Sequence, residues 1–225
     1  MPSDDIDPAE ERASRLAGES LAAGDPIGWF ERLYAGVEQA GIGVPWDRGS
    51  PNRLLVGWTQ THGLAGQGRR ALVVGCGLGD DAEHIASLGF DTTAFDVAPS
   101  AIREARRRYP RSTVDYTQAD LLDPPAGWRG ALDLVVESIT VQALPPALHE
   151  QATHAVTAFV APGGTLLVIA ARRDQRDGAQ QGPPWPLTRH EIDAFANGDL
   201  EVVGIEEIAD PGVRRWRATF CRPSD

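Results

Sequence analysis

The spacing of hydrophobic residues changes near residue 71, and this change predicts where helices give way to alternating strands and helices. Between residues 25 and 66 the apolar positions, among them Phe30, Leu33 and Val37, recur at the interval of an amphipathic helix. Beyond residue 71, short continuous apolar runs alternate with amphipathic stretches. Such runs are typical of strands buried on both faces, so the pattern predicts a mostly parallel sheet flanked by helices.

Seven runs are predicted to be strands. Five of them are ALVVG (71–75), TTAF (92–95), STVDYTQAD (112–120), LDLVVES (132–138) and TLLVIAA (165–171). The last two, LEVVGIEEI and VRRWRATFC, flank Asp210-Pro211-Gly212, which is the pattern of an antiparallel hairpin. We therefore expect an α/β fold with a doubly wound, mostly parallel seven-stranded sheet and an antiparallel C-terminal hairpin, of the Rossmann-like kind.

The length of 225 residues suits one domain with a substantial core. Residues 1–24 are polar and rich in alanine and glycine, so we expect a flexible N-terminal tail there and a single domain over residues 25–225. That domain divides by pattern into a helical cap (25–66), a core with a glycine-rich turn (67–171), and a long polar loop with a short helix and the hairpin (172–225).

Composition argues against several kinds of partner. The chain has 21 basic and 32 acidic residues and a formal net charge of −11, so it repels a nucleic-acid backbone. No apolar run approaches the roughly 20 residues that cross a bilayer, and the acidic N-terminus does not resemble a signal peptide. We expect a cytoplasmic protein without nucleic-acid or membrane partners. Whether it is a monomer or a weak dimer stays open.

The cysteine and histidine residues do not have the spacing of a metal site or a disulfide. Cys76 and Cys221 are isolated in the sequence, and we expect both to be free thiols. The five histidines show no metal-ligand spacing. We therefore expect no metal.

The segment VVGCGLGDD (73–81) joins the first predicted strand to a helix through Gly75, Gly77 and Gly79. Glycines permit positive φ and the close approach of a ligand, and the N–H groups at a helix start attract negative charge. The turn lies at the carboxyl end of a strand, where open α/β sheets bind ligands. By itself it does not separate a nucleotide site from a plain turn.

Acidic residues end the three strands that follow. Asp96 ends the second strand, 17 residues after Gly79, where a carboxylate can accept both ribose hydroxyls of an adenosine. Asp120 ends the third strand and Glu137 the fourth. Because the carboxyl ends of parallel strands meet at one edge of a sheet, this series predicts an adenosine site.

The turn also discriminates between cofactors that contain adenosine. A dinucleotide-binding turn has the spacing GxGxxG and presents its helix start to a pyrophosphate. Here the spacing is GxGxG, and Asp80 and Asp81 follow it. Each carboxylate would repel a pyrophosphate by roughly 1 kcal/mol or more, whereas it favours an ammonium or a sulfonium. The turn therefore favours S-adenosylmethionine over NAD.

The segment VVGCGLGDDAEHIASLGFDTTAFDVAPSAI (73–102) resembles the cofactor half of class I S-adenosylmethionine-dependent methyltransferases. Three further segments resemble the thiopurine/thiol methyltransferase-like branch of that family. They are WFERLY…PWDRGSP before the turn, ESITVQALPP after the fourth strand, and GPPWPLTRHEID near the end. The resemblance covers residues 26–222.

The resemblance implies S-adenosyl-L-methionine as methyl donor and S-adenosyl-L-homocysteine as product. The residues that it implies for binding this cofactor are Trp29, Trp46, Gly75, Cys76, Gly77, Gly79, Asp80, Asp96, Val97, Asp120, Leu121 and Glu137. Asp96 would hold the ribose, Val97 would flank the adenine, and Asp120 with Leu121 would bind its edge. Cys76 is interpreted as a small filler and not as a nucleophile. The two tryptophans would lie near the sulfonium, where aromatic faces stabilise a cation, or would only attach the cap to the sheet.

The implied activity is in-line transfer of a methyl group to sulfur, nitrogen or oxygen of a small molecule, with residues 25–66 over the cofactor. Glu137 is the candidate general base. It is equally a candidate for holding the cofactor's amino group or a neighbouring backbone. Thr140, Gln142 and Trp185 are candidates for binding the acceptor.

Two alternative functions remain at this stage. A nicotinamide-dependent oxidoreductase would need a GxGxxG turn and a catalytic residue on the hydride side, and the sequence shows neither. A binding module without catalytic activity would keep Asp96 and Asp120, because these residues bind without reacting.

Overall fold

The computed structural model describes residues 7–41, 43–174, 182–196, 198–210 and 213–224. Its α-helices are α1 (Pro8–Ala22), α2 (Gly28–Ala40), α3 (Arg53–Thr61), α4 (Asp80–Ser87), α5 (Pro99–Arg108), α6 (His149–Ala158) and α7 (Arg189–Asp193). Its strands are β1 (Arg70–Val74), β2 (Asp91–Asp96), β3 (Asp115–Gln118), β4 (Leu132–Ser138), β5 (Val160–Ala171), β6 (Glu201–Asp210) and β7 (Val213–Cys221). Pro211 and Gly212, expected in the hairpin turn, lie outside the described residues.

The strands form one seven-stranded sheet in the order β3-β2-β1-β4-β5-β7-β6. β1 to β5 pair in parallel, and β7 pairs antiparallel with both β5 and β6. The predicted fold is therefore confirmed, including the hairpin. Strand order reverses between β1 and β4, which opens a crevice at the carboxyl ends of these two strands.

Helices cover both faces of the sheet, as the continuous apolar strands require. On one face Leu72 and Val135 pack with residues of α6, and on the other face Val73 and Val136 pack with α3, α4 and α5. The alternation within β1 and β4 thus sends successive side chains into different halves of the core. None of the helices within the described residues is long and apolar enough to span a bilayer.

Residues 8–22 form a helix, so the expectation of a flexible tail over residues 1–24 is wrong for this part. Asp7 caps α1 by accepting the N–H of Ala9 at 2.9 Å, and Pro8 is the first helical residue. Leu16 and Ala17 are buried against α2. The polar composition concealed this narrow apolar face, because small alanines supply much of it.

The expected cap at residues 25–66 is divided between two places. α2 lies over the start of α5, where Glu31 accepts the N–H of Ser100 at 2.9 Å and its hydroxyl at 2.6 Å. α3 instead packs on a face of the sheet, and the Trp58 indole donates to Thr219 of β7 at 2.9 Å. The cap above the strand ends is therefore built by α1 and α2.

Candidate active site

A cavity of about 1350 Å³ opens over the carboxyl ends of β1, β2, β4 and β5. Its floor includes the glycine turn, and α1 and α2 contribute Ser14, Trp29 and Phe30 to its walls. Ligand pockets in proteins usually measure about 300–1,000 Å³. The cavity thus has room for two small molecules side by side, as a transfer between two ligands requires.

The glycines of the turn adopt a backbone that other residues rarely adopt. Gly75, Gly77 and Gly79 have φ angles of +59°, +53° and +98°. A Cβ at Gly75 would lie 2.4 Å from Thr140 Oγ1, and one at Gly79 would lie 2.4 Å from Tyr116 Oη. Both the conformation and the neighbouring side chains therefore require glycine here.

A Gly75→Ala variant tests how closely the turn is enclosed. Gly63 has a similar φ of +55°, and a Cβ added there would have no neighbouring atom within 4 Å, so Gly63→Ala is a matched control. We expect Gly63→Ala to cost about 1 kcal/mol for the left-handed backbone alone. Gly75→Ala should cost about 1 kcal/mol more, because Thr140 must move. Urea unfolding measures both, and equal losses would contradict the close packing.

Asp96 ends β2 and lines the cavity, although it is only 6% exposed. Its Oδ2 accepts the N–H of Gly77 at 3.0 Å, and its Oδ1 accepts the N–H of Ala98 at 2.9 Å. Burial raises the pKa of this carboxyl to about 6, against the effect of those two hydrogen bonds. The two N–H groups fix the carboxylate, and each oxygen keeps accepting capacity for a ligand.

Three other predicted residues lie beside Asp96 on the cavity wall. Val97 follows it directly, and Asp120 and Leu121 lie beyond the end of β3. The Asp120 Oδ1 accepts the N–H of Leu122 at 2.8 Å, which holds this loop in place. β3 ends at Gln118, two residues earlier than predicted, but the structure still brings Asp120 to the same wall.

Aromatic side chains from the cap contact the turn. The Trp46 indole donates to Tyr34 Oη at 2.8 Å, and a Cβ at Gly77 would lie 2.8 Å from that oxygen. Trp29 and Trp46 meet edge to face with ring centroids 6.3 Å apart, and both line the cavity. Trp46 is 38% exposed, so its ring remains accessible to a ligand.

Cys76 is buried within the turn and also borders the cavity. Burial raises the pKa of its thiol well above the usual value, and the nearby Asp96 charge acts in the same direction. A neutral thiol that packs with Ala82 and Val73 has the properties of a small filler residue.

The two carboxylates after the turn have partners within the protein. Asp80 Oδ2 lies 3.2 Å from Arg108 Nη1, and its Oδ1 accepts the Tyr109 hydroxyl at 2.5 Å. Asp81 accepts the N–H of Asn52 at 2.6 Å, and burial raises its pKa. Arg108 also pairs with Asp47 at 2.8 Å, so two carboxylates share one cation, and the repulsion of a pyrophosphate at Asp80 stays a prediction.

The structure does not bring the Glu137 side chain to the cavity. It is fully buried on the α6 face of β4, and its Oε1 accepts the N–H groups of Thr140 at 2.7 Å and Val141 at 2.9 Å. Its Oε2 is buried without a hydrogen-bond partner among the described residues. Burial raises the pKa of the carboxyl to about 7. The structure therefore gives Glu137 the role of holding the loop after β4, which was one of the two interpretations left open.

The other predicted acceptor-binding residues are partly engaged elsewhere. Thr140 lines the cavity, and its hydroxyl donates to the carbonyl of Val74 at 2.9 Å. Gln142 also lines the cavity, but its Oε1 accepts the N–H of Ala171 at 2.5 Å. Trp185 packs beside the cavity without lining it, and its backbone N–H donates to the backbone carbonyl of Gln142 at 2.7 Å.

Several residues at the cavity were not predicted. Tyr34 and Asn52 are positioned by tertiary contacts, and nothing in their local sequence marks them. Ile139 lines the cavity directly after β4 with a φ of +67°, which is rare for a β-branched residue and marks a sharp change of chain direction. Arg48, Arg53 and Arg215 also line the cavity.

Comparison with known proteins agrees with this geometry. Residues 71–164 match the family model described as a methyltransferase domain. The chain is 25% identical over 197 residues to a probable thiol methyltransferase 2 of Arabidopsis thaliana. The aligned residues make up 87% of this chain and 79% of that protein. It is 34% identical over 163 residues to a ubiquinone biosynthesis O-methyltransferase of Xanthomonas campestris pv. campestris (strain B100). Here the aligned residues make up 70% of this chain and 59% of that protein.

A solved structure shares the fold. It concerns the conversion of a disulfide bond into a thioacetal group during echinomycin biosynthesis, and it matches with a TM-score of 0.70 and 24% identity over 86% of this chain and 90% of that one. The matched domain, the methyltransferase relatives and the glycine turn above β1 together support a class I S-adenosylmethionine-dependent methyltransferase.

Proposed function

We propose that the cavity binds S-adenosylmethionine over the glycine turn and that the protein methylates sulfur, nitrogen or oxygen of a small molecule. The observation that carries this proposal is Asp96, whose carboxylate is fixed by the Gly77 and Ala98 N–H groups at the cavity wall. A fixed acceptor of this kind suits two vicinal ribose hydroxyls. The turn supports the same proposal, since Gly75, Gly77 and Gly79 line the cavity and let a ligand approach the backbone closely.

The residues present fit such a cofactor in three places. Asp96 would bind the ribose, and Val97 with Asp120 and Leu121 would border the adenine. The turn would carry the methionine part, with Trp29 and Trp46 beside it. Aromatic faces near a cation contribute roughly 0.5–2 kcal/mol.

The bound cofactor supplies a methyl group on positively charged sulfur, so the protein's own contribution is alignment and exclusion of water. Ile139 and Thr140 border the space next to the turn, where an acceptor would have to lie. Trp29, which is 1% exposed, closes that space from α2. Glu137 keeps the loop after β4 in place through the Thr140 and Val141 N–H groups, and therefore acts as a positioning residue.

A small acceptor would fit in the cavity, and the relatives are named for small-molecule acceptors. One relative is named for a thiol and the other for an oxygen acceptor in ubiquinone biosynthesis. We further propose that α1, which packs on α2 and lines the cavity, belongs with residues 25–225 to one domain, and that the protein works in the cytoplasm. Cys76 and Cys221 are free thiols, as expected in a reducing compartment.

Binding and turnover test the proposed function separately. Calorimetry should show saturable binding of S-adenosylhomocysteine and no binding of NADH. Incubation with S-adenosylmethionine and a panel of thiols, phenols and N-heterocycles should give a product heavier by one methyl group in mass spectrometry. Binding of NADH without binding of S-adenosylhomocysteine would overturn the cofactor assignment. Cofactor binding without any methylated product from the panel would instead favour a module that binds but does not react.

A further inference from the structure

The buried side chain of His149 lies behind two segments of the cavity wall. His149 is the first residue of α6. One of the two segments is the loop after β4, whose residues 142–144 line the cavity. The other is residues 182–187, which we call the proline stretch, because Gly182 and three prolines of it line the cavity. The ring nitrogens of His149 connect these two segments.

Each ring nitrogen of His149 meets an oxygen atom. Nδ1 lies 2.7 Å from Glu191 Oε1, and Nε2 lies 2.9 Å from the backbone carbonyl oxygen of Leu144. A carbonyl oxygen and an ionised carboxylate only accept hydrogen bonds. A neutral imidazole has one N–H group and one bare nitrogen, so it would turn a lone pair towards one of these oxygens. Both contacts are hydrogen bonds only if each nitrogen carries a proton.

Glu191 provides the negative charge that such a ring requires. Its Oε2 accepts the N–H of Thr188 at 2.8 Å and the hydroxyl of Thr188 at 2.7 Å. Burial acts to raise the pKa of this carboxyl, but the hydrogen bonds from His149 and Thr188 outweigh burial and bring the pKa to about 2. Glu191 is therefore a carboxylate over the whole range in which the protein would work.

Three other features of the surroundings act on a charge at His149. Arg173 Nη2 lies 3.9 Å from Glu191 Oε2 and shares this carboxylate. On β4, burial raises the pKa of the Glu137 carboxyl to about 7, and the His149 charge acts in the opposite direction. The start of α6 disfavours a cation, because the helix dipole is positive there. A carboxylate in direct hydrogen-bond contact, as at Glu191, outweighs that effect.

The position of His149 lets it hold both wall segments at once. Glu137 fixes the start of the loop after β4, and the bond from His149 to Leu144 fixes its end. Through Glu191, His149 also reaches Thr188, which directly follows the proline stretch. One side chain thus joins two separate parts of the chain at the same cavity wall.

We propose that His149 carries a proton on each ring nitrogen and that it is a positioning residue for methyl transfer, because it joins the loop after β4 to the proline stretch. This inference rests on the proposed function. When one proton is lost, a lone pair faces either Leu144 or Glu191, and that contact is released. The joint is therefore complete at low pH and is lost as pH rises.

NMR measures the protons on the ring without turnover. In isotopically labelled wild type at pH 6, both ring nitrogens of His149 should show a directly bonded proton. One of the two signals should disappear as the pH is raised towards 10. A bare ring nitrogen at pH 6 would overturn the inference.

Two variants of His149 test the positioning role with a compound that the wild type methylates. Glutamine donates only from its amide nitrogen, so His149→Gln serves one of the two oxygens. We expect it to lower kcat/KM at least about tenfold at pH 6, as the loss of a hydrogen bond to a charged group implies. The affinity for S-adenosylhomocysteine should stay within about twofold of wild type, because Asp96 and Asp120 lie on the other side of β1.

Arginine stays charged at any physiological pH and donates in several directions, so His149→Arg should restore most of the activity. Its kcat/KM should also persist at the pH where the wild type loses a ring proton and activity with it. Glu137 is present in both proteins, so its own titration does not distinguish them. His154 is exposed on the same helix, and His154→Gln should leave all readouts unchanged.

The outcomes separate this inference from the proposed function. Wild-type kcat/KM in His149→Gln, or equal pH profiles for the wild type and His149→Arg, would overturn the positioning role alone. If His149→Arg does not fold, the deficit of His149→Gln relative to wild type should vanish at the pH where the ring loses its proton, and a constant deficit would overturn the role. Absence of S-adenosylhomocysteine binding in the wild type would overturn the proposed function and the role in methyl transfer with it.

Discussion

An Asp96→Asn variant is expected to bind S-adenosylhomocysteine at least about 100-fold more weakly than wild type. The carboxylate already accepts the N–H groups of Gly77 and Ala98 and offers its remaining lone pairs to the cavity. Hydrogen bonds to a charged group contribute about 1.5–3 kcal/mol each, and two ribose hydroxyls would lose such a partner together. Asparagine keeps the shape but has one accepting oxygen, which one of the two backbone N–H groups would occupy, while its NH₂ group would face the other N–H group.

Calorimetry measures this loss, and a second variant on the same strand controls for the change of charge. Asp91 begins β2 and is exposed, so Asp91→Asn should bind as wild type does. Circular dichroism should show that both variants fold. Binding by the wild type should also weaken as pH falls through about 6, where Asp96 takes up a proton. Wild-type affinity in Asp96→Asn would show that the ribose is held elsewhere.

The mostly parallel sheet and the position of Asp96 were predictable because they depend on local patterns. A strand that ends in a glycine turn, followed by a second strand that ends in a carboxylate, places both at one edge of a parallel sheet. The partners of Asp80 and Asp81 were not predictable in this way. Arg108 and Asn52 stand 28 and 29 residues away in sequence, and only the packing of α3 and α5 brings them near. Both carboxylates lie at the cavity, whereas their partners could be found only from the packing.

The direction of Glu137 could not be predicted for a related reason. Strands of an open parallel sheet are apolar on both faces, so alternation in LDLVVES does not show which face meets which helix. The chain turns at Ile139, so residues after it line the cavity while Glu137 faces α6. Arg48, Arg53 and Arg215 were not predicted at the cavity because they lie on three separate parts of the chain, one of them in the C-terminal hairpin.

The environment of Glu137 suggests that its charge destabilises the fold. Burial raises the pKa of its carboxyl from 4.5 to about 7, and the nearby His149 acts weakly in the opposite direction. His149 itself contacts Glu191 at 2.7 Å and the carbonyl of Leu144 at 2.9 Å. Above pH 4.5 the unfolded chain releases the Glu137 proton while the folded chain retains it until about pH 7. The contribution of this group to stability therefore falls as pH rises through that interval and is constant above it.

A Glu137→Gln variant should be more stable than wild type at pH 8 by on the order of 3 kcal/mol and nearly equal to it at about pH 4.5. The amide oxygen can still accept the Thr140 and Val141 N–H groups, and the amide nitrogen replaces an oxygen that has no partner among the described residues. Urea unfolding at both pH values measures the difference, and Glu150→Gln removes an exposed carboxylate on α6 as a control. Because Glu137 holds a loop and does not line the cavity, methyl transfer should continue within a few-fold of wild type. A fall of about 100-fold or more in kcat would contradict this role, since that is the loss expected when a general base is removed.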